Sequence, residues 1–304
     1  MNRTILFHAR DMESVAAEVR ALLPAWDEGK IDWETFPDGM PNIFIHEARS
    51  LENARVAFIA SIGNADELFR QIALLYALAS YPIECLRVLI PYFPAGMMDR
   101  ADAFGQVVTS KAMARIISAI PPATRTDITI LDIHALQEQY YFGDAVRVRL
   151  HSALPMFRDT VLRREGSAPV TVAFPDDGSR KRFAHDLEAF DPIVCVKVRE
   201  GDKRIIRIKE GDPRGKNVCI VDDLVMSGET MLECARVIRE AGATDVSAYV
   251  THAIFPDESW RRFEGGPISR FYVTDSCPTR IAALRGRAPF EVLSLARVLA
   301  ADLA

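Results

Sequence analysis

The chain has 304 residues, 37 basic and 42 acidic side chains, and a net charge of −5. Its 16 glycines, 17 prolines, 49% hydrophobic and 26% charged residues exclude a low-complexity, collagen-like or disordered chain. The acidic balance argues against a general nucleic-acid binder, which carries a basic stripe, but leaves room for a local pocket that takes a small anion.

The predicted elements alternate strand and helix. Ile5–Phe7 reads as a strand and Met12–Leu23 as a helix by period, with Asp11 or Ser14 as its cap. Ile31–Phe36 and Asn42–His46 flank the turn Pro37-Asp38-Gly39 and predict a hairpin. Val56–Ala60 is a buried strand. Asn64–Ala79 is the clearest helix, capped by Asn64, with Leu68, Ile72, Leu75 and Ala79 on one face. Leu86–Phe93 is a strand, followed by a loop with Pro94 and Gly96. Met113, Ile116, Ile117 and Ile120 have helical spacing, and Ile128–Ile133 is the next strand. The pattern fades over residues 144–168, which predicts a domain boundary. Beyond it, Val170–Phe174, Ile193–Val198, Ile205–Lys209, Val218–Val221, Ser247–Thr251 and Phe271–Thr274 read as strands. Residues 179–189, 228–241 and 294–303 read as helices, the second with Met231, Ala235 and Ile238 inward.

No repeat is visible in the residues themselves, but both halves have the rhythm of parallel sheets flanked by helices. We expect an α/β protein with two domains, residues 1–150 and 151–293. Five scattered cysteines, none in CxxC spacing, point to reduced thiols rather than a disulfide framework or a zinc site. No apolar run is long enough for a membrane span or a signal-peptide core, so the expected location is the cytoplasm, with no membrane partner.

The segment from Val218 to Thr230 carries the strongest chemistry. An apolar strand ends in Asp222 and Asp223, and a short loop with Ser227-Gly228-Glu229-Thr230 then opens a helix. Free N–H groups and the positive dipole end of a helix bind phosphate, and Ser and Thr hydroxyls add donors. Two adjacent carboxylates accept hydrogen bonds from neighbouring sugar hydroxyls. Together they describe a site for ribose 5-phosphate or a relative. Asp176 and Asp177 follow the strand Val170–Phe174, where oxygen donors suit Mg²⁺ bridging a diphosphate, although Asp177 could equally cap a helix.

Residues Asp222–Thr230 resemble the phosphoribosyl-pyrophosphate fingerprint of type I phosphoribosyltransferases and ribose-phosphate pyrophosphokinases. Further stretches resemble the pyrophosphokinases, above all the plant-type class II forms, over nearly the full length. They are Phe36–Ile45, Phe93–Gly96, Asp132–Glu138, Phe174–Gly178, Lys197–Arg204, Ile208–Asp212, Val246–His252, Thr274–Cys277 and Pro289–Leu295. The resemblance implies two tandem phosphoribosyltransferase-type I-like domains related by pseudo-twofold symmetry, with the site between them. It implies that the helix near 294–304 packs back on the first domain. It also implies transfer of the β,γ-diphosphate of Mg-ATP to the C1 hydroxyl of ribose 5-phosphate, releasing AMP.

On that resemblance, His134 and Asp176 are the metal contacts, and Lys197 and Arg199 sit in a mobile catalytic loop and offset charge on the transferring diphosphate. Phe36 and Asp38 belong to an adenine-binding turn presented to a neighbouring subunit, which implies a homo-oligomer. Asp99 and Arg100 stand beside the ATP phosphates. The chain departs from class I members at Met97-Met98-Asp99, where those have Arg-Gln-Asp, and at Met40 and Met226. Glu229 stands where pyrophosphokinases have a small residue, and its carboxylate would repel a bound phosphate unless turned away. Two competing readings follow: a non-catalytic regulatory homologue, and a phosphoribosyltransferase.

Overall fold

The computed structural model describes residues 3–94, 96–121, 124–162, 170–200 and 203–304. The chain forms two compact units, residues 1–152 with 295–304, and residues 153–294. Each is built on a parallel sheet.

The first unit contains β1 (Thr4–His8), α1 (Glu13–Leu22), β2 (Trp26–Glu28), β3 (Ile31–Thr35), β4 (Pro41–Ile45), β5 (Arg55–Ile59), α2 (Ala65–Ser80), β6 (Cys85–Ile90), α3 (Thr109–Ser118), β7 (Arg125–Leu131) and β8 (Val146–His151). The sheet order is β2-β1-β5-β6-β7-β8, with β3 and β4 as a separate antiparallel hairpin. The near-continuous apolar runs of β1, β5 and β6 fit strands covered on both faces.

Three readings of this unit change. No side chain caps α1; the Asp11 carboxylate instead accepts from Ser61 Oγ at 2.7 Å. The buried face of α2 is rotated to Arg70, Gln71, Leu74, Leu75, Leu78 and Ala79, leaving Leu68 and Ile72 half-buried. Polar Gln71 is admitted because its amide pairs with the Ser61 backbone in both directions, at 2.6 and 2.9 Å. On α3, Ile116 faces out while Met113 and Ile117 face in. Strands β2 and β8, absent from the sequence reading, are short or carry alternating arginines.

The second unit contains α4 (Leu154–Phe157), β9 (Val170–Phe174), α5 (Asp177–Phe183), β10 (Pro192–Glu200), β11 (Lys203–Glu210), β12 (Asn217–Val225), α6 (Glu229–Glu240), β13 (Asp245–Ala253), β14 (Arg270–Thr274), α7 (Pro278–Ile281) and β15 (Phe290–Leu293). Its order is β11-β10-β9-β12-β13-β14-β15, all parallel except β10 with β11. Alternation along β12 sends Val218 and Ile220 to one core with Met231, Cys234, Ala235 and Ile238 of α6. Cys219 and Val221 join another core with Phe157 and Tyr249, whose rings stack at 4.1 Å.

Set beside each other, the two sheets have one strand order. The first strand (β1 or β9) lies between the second (β2 or β10) and the third (β5 or β12), and the rest follow outward. The insert after the second strand differs: a detached hairpin in the first unit, the antiparallel β11 in the second.

The last helix, α8 (Ala296–Leu303), belongs to the first unit, where it lies beside α1. There Asp302 accepts from Thr129 Oγ1 at 2.9 Å through its carboxylate and from Arg87 at 2.8 Å through its carbonyl. All five cysteines are free thiols, and Cys195 and Cys234 face each other at 3.4 Å. No helix of the described residues is long and apolar enough to cross a membrane.

Candidate functional site

In the second unit, β9 and β12 are neighbours at the point where strand order reverses, the place at which open α/β sheets bind ligands. Asp176 follows β9. Its Oδ1 accepts from the amides of Gly178 and Ser179, both at 3.0 Å, so Asp176 and not Asp177 caps α5. Asp177 instead pairs with Lys209 at 3.2 Å.

On β12 the acids do not end the strand. Asp222 lies opposite Val250 of β13, and pairing continues through Leu224 with His252 and Val225 with Ala253. The Asp223 amide donates to Asp222 Oδ1 at 3.0 Å. Burial first, then the charges of Asp223 and Asp176, push the Asp222 carboxyl well above the usual carboxylate range. These acids therefore stand close enough to repel one another, a donor set of oxygens suited to a hard cation. Among the described residues, no three His, Cys, Asp or Glu side chains stand as a ready-made metal cage.

The chain then turns at Gly228, whose φ of +81° is left-handed, and α6 begins at Glu229. A Cβ at Gly228 would stand 2.4 Å from the Phe263 ring. No side chain caps α6, and the amides of its first turn have no intrahelical partner, the arrangement that accepts anions at helix N-termini. Ser227 and Thr230 flank that turn, both half-buried.

Lys197 is exposed on β10, opposite Ile206 of β11. The Ile206 amide donates to Glu233 of α6 at 3.2 Å, which ties this hairpin to the helix that starts at Gly228. The backbone of Arg199 lies in β10; its side chain, like residues 201 and 202, lies outside the described residues.

The first unit carries a second cluster. After β7, Asp132 takes a positive φ of 38°, buried, with its amide on His151 O at 2.9 Å and its Oδ1 accepting from Ser152 at 2.7 Å. That strained turn presents His134, which is exposed. Gly96 packs against it: a Cβ there would lie 3.1 Å from the His134 Cβ and 3.3 Å from Glu138 Oε2. Asp99 is buried and accepts from Gln137 at 2.8 Å, while the Tyr141 hydroxyl donates to its carbonyl. Asp99 thus braces its loop, and Arg100 is the exposed member of the pair. Phe36, 48% exposed, stands at the tip of the β3–β4 hairpin with Asp38, whose carboxylate accepts from the Met40 amide at 3.0 Å. Buried Arg70 holds the turn end of β3 through Glu34 O and Thr35 Oγ1, both at 3.1 Å.

Sequence reasoning missed Glu138 as a group of interest. It is fully buried, neither carboxylate oxygen has a hydrogen-bond partner of good geometry among the described residues, and burial raises its pKa to about 7. Asp99 adds to the rise, and the nearby Ser110 hydroxyl, Ala135 amide and His134 oppose it. A carboxyl raised in the fold binds its proton more tightly folded than unfolded. Stability therefore falls as pH climbs from about 4.5 through 7, by about 3 kcal/mol in all. Glu138→Gln should unfold at a higher temperature than wild type at pH 8.5 and at a similar one at pH 4.5. An equal difference at both pH values would refute the assignment.

Residues 185–300 match the family model of the phosphoribosyl synthetase-associated domain. A chloroplastic ribose-phosphate pyrophosphokinase 3 of Oryza sativa is 44% identical over 98% of this chain and 75% of its own length. Ribose-phosphate pyrophosphokinase 4 of the same organism is 43% identical over 97% of this chain and 94% of its own length. The crystal structure of phosphoribosylpyrophosphate synthetase from Mycobacterium smegmatis superposes with a TM-score of 0.82 at 21% identity, covering 99% of this chain and 97% of that one.

Proposed function

The chain belongs to the ribose-phosphate pyrophosphokinase family, and from that premise we propose how its residues divide the reaction. The enzyme transfers the β,γ-diphosphate of ATP to ribose 5-phosphate. The C1 oxygen attacks the β-phosphorus, the bond from that phosphorus to the α,β-bridging oxygen breaks, AMP leaves, and the hydroxyl proton passes to solvent.

The second unit takes the acceptor. The sugar phosphate sits on the amides and hydroxyls of Ser227–Thr230, and Asp222 and Asp223 accept from the ribose hydroxyls. The observation that carries this is the left-handed Gly228, which opens the uncapped first turn of α6 beside two carboxylates. Lys197 and Arg199 offset charge on the moving diphosphate. The first unit takes the donor: Phe36 and Asp38 at adenine, Asp99 and Arg100 beside the phosphates. His134 would contact Mg²⁺ on the ATP side and Asp176 Mg²⁺ on the ribose side, where the bound cation neutralises diphosphate charge. Burial lifts the Asp222 carboxyl most, but the added repulsion from Asp223 and Asp176 supports a cation there.

The exposed Phe36, Met40, Phe44 and Phe69, on or beside the hairpin, support its use against a second copy and hence a homo-oligomer. Five free thiols fit a reducing cytoplasm. Phosphorus NMR of protein, ATP, ribose 5-phosphate and Mg²⁺ tests the reading. AMP and the diphosphate ester should appear in equal amounts; no turnover with several nucleotides and metals would favour the regulatory homologue.

Gly228→Ala should raise the KM for ribose 5-phosphate about tenfold or more, because the left-handed turn and the Phe263 ring both oppose a methyl group. Steady-state kinetics measure it, and an unchanged KM would remove this turn from the phosphate site.

A further inference from the structure

We propose that Arg262 is a positioning residue for the acceptor site: it draws the Glu229 carboxylate off the phosphate position and cancels its charge. The proposal rests on the reading of residues 227–230 as the phosphate loop.

Glu229 is the first residue of α6. An acid in that place is attracted by its own helix terminus, so it competes with any phosphate for the same first-turn amides. In this fold it does not reach them. Its Oε1 accepts from Arg262 Nη1 at 2.8 Å. Arg262 comes from a turn-rich segment, Pro256–Phe263, that backs the loop at three points. Ser259 Oγ donates to the Met226 carbonyl at 3.3 Å, the Phe263 ring fills the space over Gly228, and Arg262 holds Glu229. Phe255, Asp257 and Glu258 all take left-handed φ values, between 44° and 54°, to form that segment.

The neighbouring cations are engaged elsewhere. Arg261 pairs with Glu258 and lies 4.8 Å from the Trp260 ring; Arg287 lies 4.9 Å from the same ring and 3.8 Å from Glu264. Glu233, one turn along α6, accepts from the Ile206 amide. Arg262 is thus the cation assigned to Glu229. The pair is exposed, so it adds little to stability. Its effect falls on the field at the phosphate, where an uncompensated carboxylate a few ångströms away weakens binding about tenfold.

Four variants test this: Arg262→Met, Arg262→Lys, Glu229→Gln and the Glu229→Gln/Arg262→Met double. KM and kcat for ribose 5-phosphate are measured, with calorimetric titration of inorganic phosphate beside them. Arg262→Met should raise KM about tenfold with little change in kcat, and Arg262→Lys should recover most of the loss. Glu229→Gln should lower KM about threefold, and the double variant should return to within about threefold of wild type. A double variant as impaired as Arg262→Met, or an Arg262→Met enzyme with wild-type KM and phosphate affinity, overturns the proposal. Wild-type turnover separately tests the reaction itself. If it is absent, the order of phosphate affinities among the variants still decides the role of Arg262.

Discussion

Lys197→Ala should lower AMP release from ATP and ribose 5-phosphate about 10³-fold while leaving the fold intact. Lys197 is exposed on β10, two residues beyond Cys195, which is fully buried in the core beneath α6. The period of two along a strand makes it the next residue on that face, where the core ends and solvent begins. Its cross-strand neighbour Ile206 is held by Glu233, which ties the lysine's strand pair to α6 and the proposed phosphate loop. In the proposed reaction its ammonium would meet negative charge that develops only during transfer, so its loss should fall on kcat rather than on binding. An exposed lysine contributes within about 0.5 kcal/mol to stability, and the unfolding temperature should hardly move. Lys197→Arg, with a planar fork in place of a point charge, should restore only part of the rate. A Lys197→Ala enzyme within tenfold of wild type would show that Lys197 serves no catalytic end.

Asp222→Asn should be more stable than wild type at pH 8 and bind ribose 5-phosphate about 100-fold more weakly. Burial and the charges of Asp223 and Asp176 hold the Asp222 carboxyl well above its ordinary pKa. The folded state therefore keeps a proton that the unfolded chain gives up. Stability declines as pH rises from the ordinary carboxylate range toward the raised value, and a neutral amide removes that decline. When sugar hydroxyls donate to it the acid can release its proton and accept through both oxygens, whereas the amide keeps a donor in one of those two places. Thermal unfolding at pH 4 and pH 8, with ribose 5-phosphate titrations, measures both halves. Reduced stability at pH 8 would mean that Asp222 is satisfied in the free protein, and unchanged binding would place the sugar elsewhere.

Much of the proposed acceptor site was legible because it is local. The run Val218 to Thr230 contains its own strand, its own turn and its own helix start, and each is dictated by residues adjacent in the chain. The length of β12 was not legible. Asp222 and Asp223 read as a strand end because carboxylates seldom continue a buried strand, yet pairing with β13 carries the backbone on to Val225. The capping of α5 went to Asp176 rather than Asp177 for a reason of backbone geometry: Asp176 is extended, with φ of −158°, and aims its carboxylate back at two amides. The rotated face of α2 depended on Gln71 finding the Ser61 backbone, a partner ten residues away.

The sequence by itself determined the class of fold, the family, and the local strand–turn–helix run that we propose as the phosphate loop, because periodicity and turn chemistry act over a few residues. Only the tertiary structure decided what Glu229 does. Read alone, a carboxylate in a phosphate loop is a defect; in the fold it meets Arg262, 33 residues away. Only the tertiary structure showed that both units share one strand order, since strand neighbours are set by hydrogen bonds between distant segments. It alone revealed Glu138 as a buried carboxylate, because the polarity of a residue fixes its cost of burial but not whether the chain folds over it.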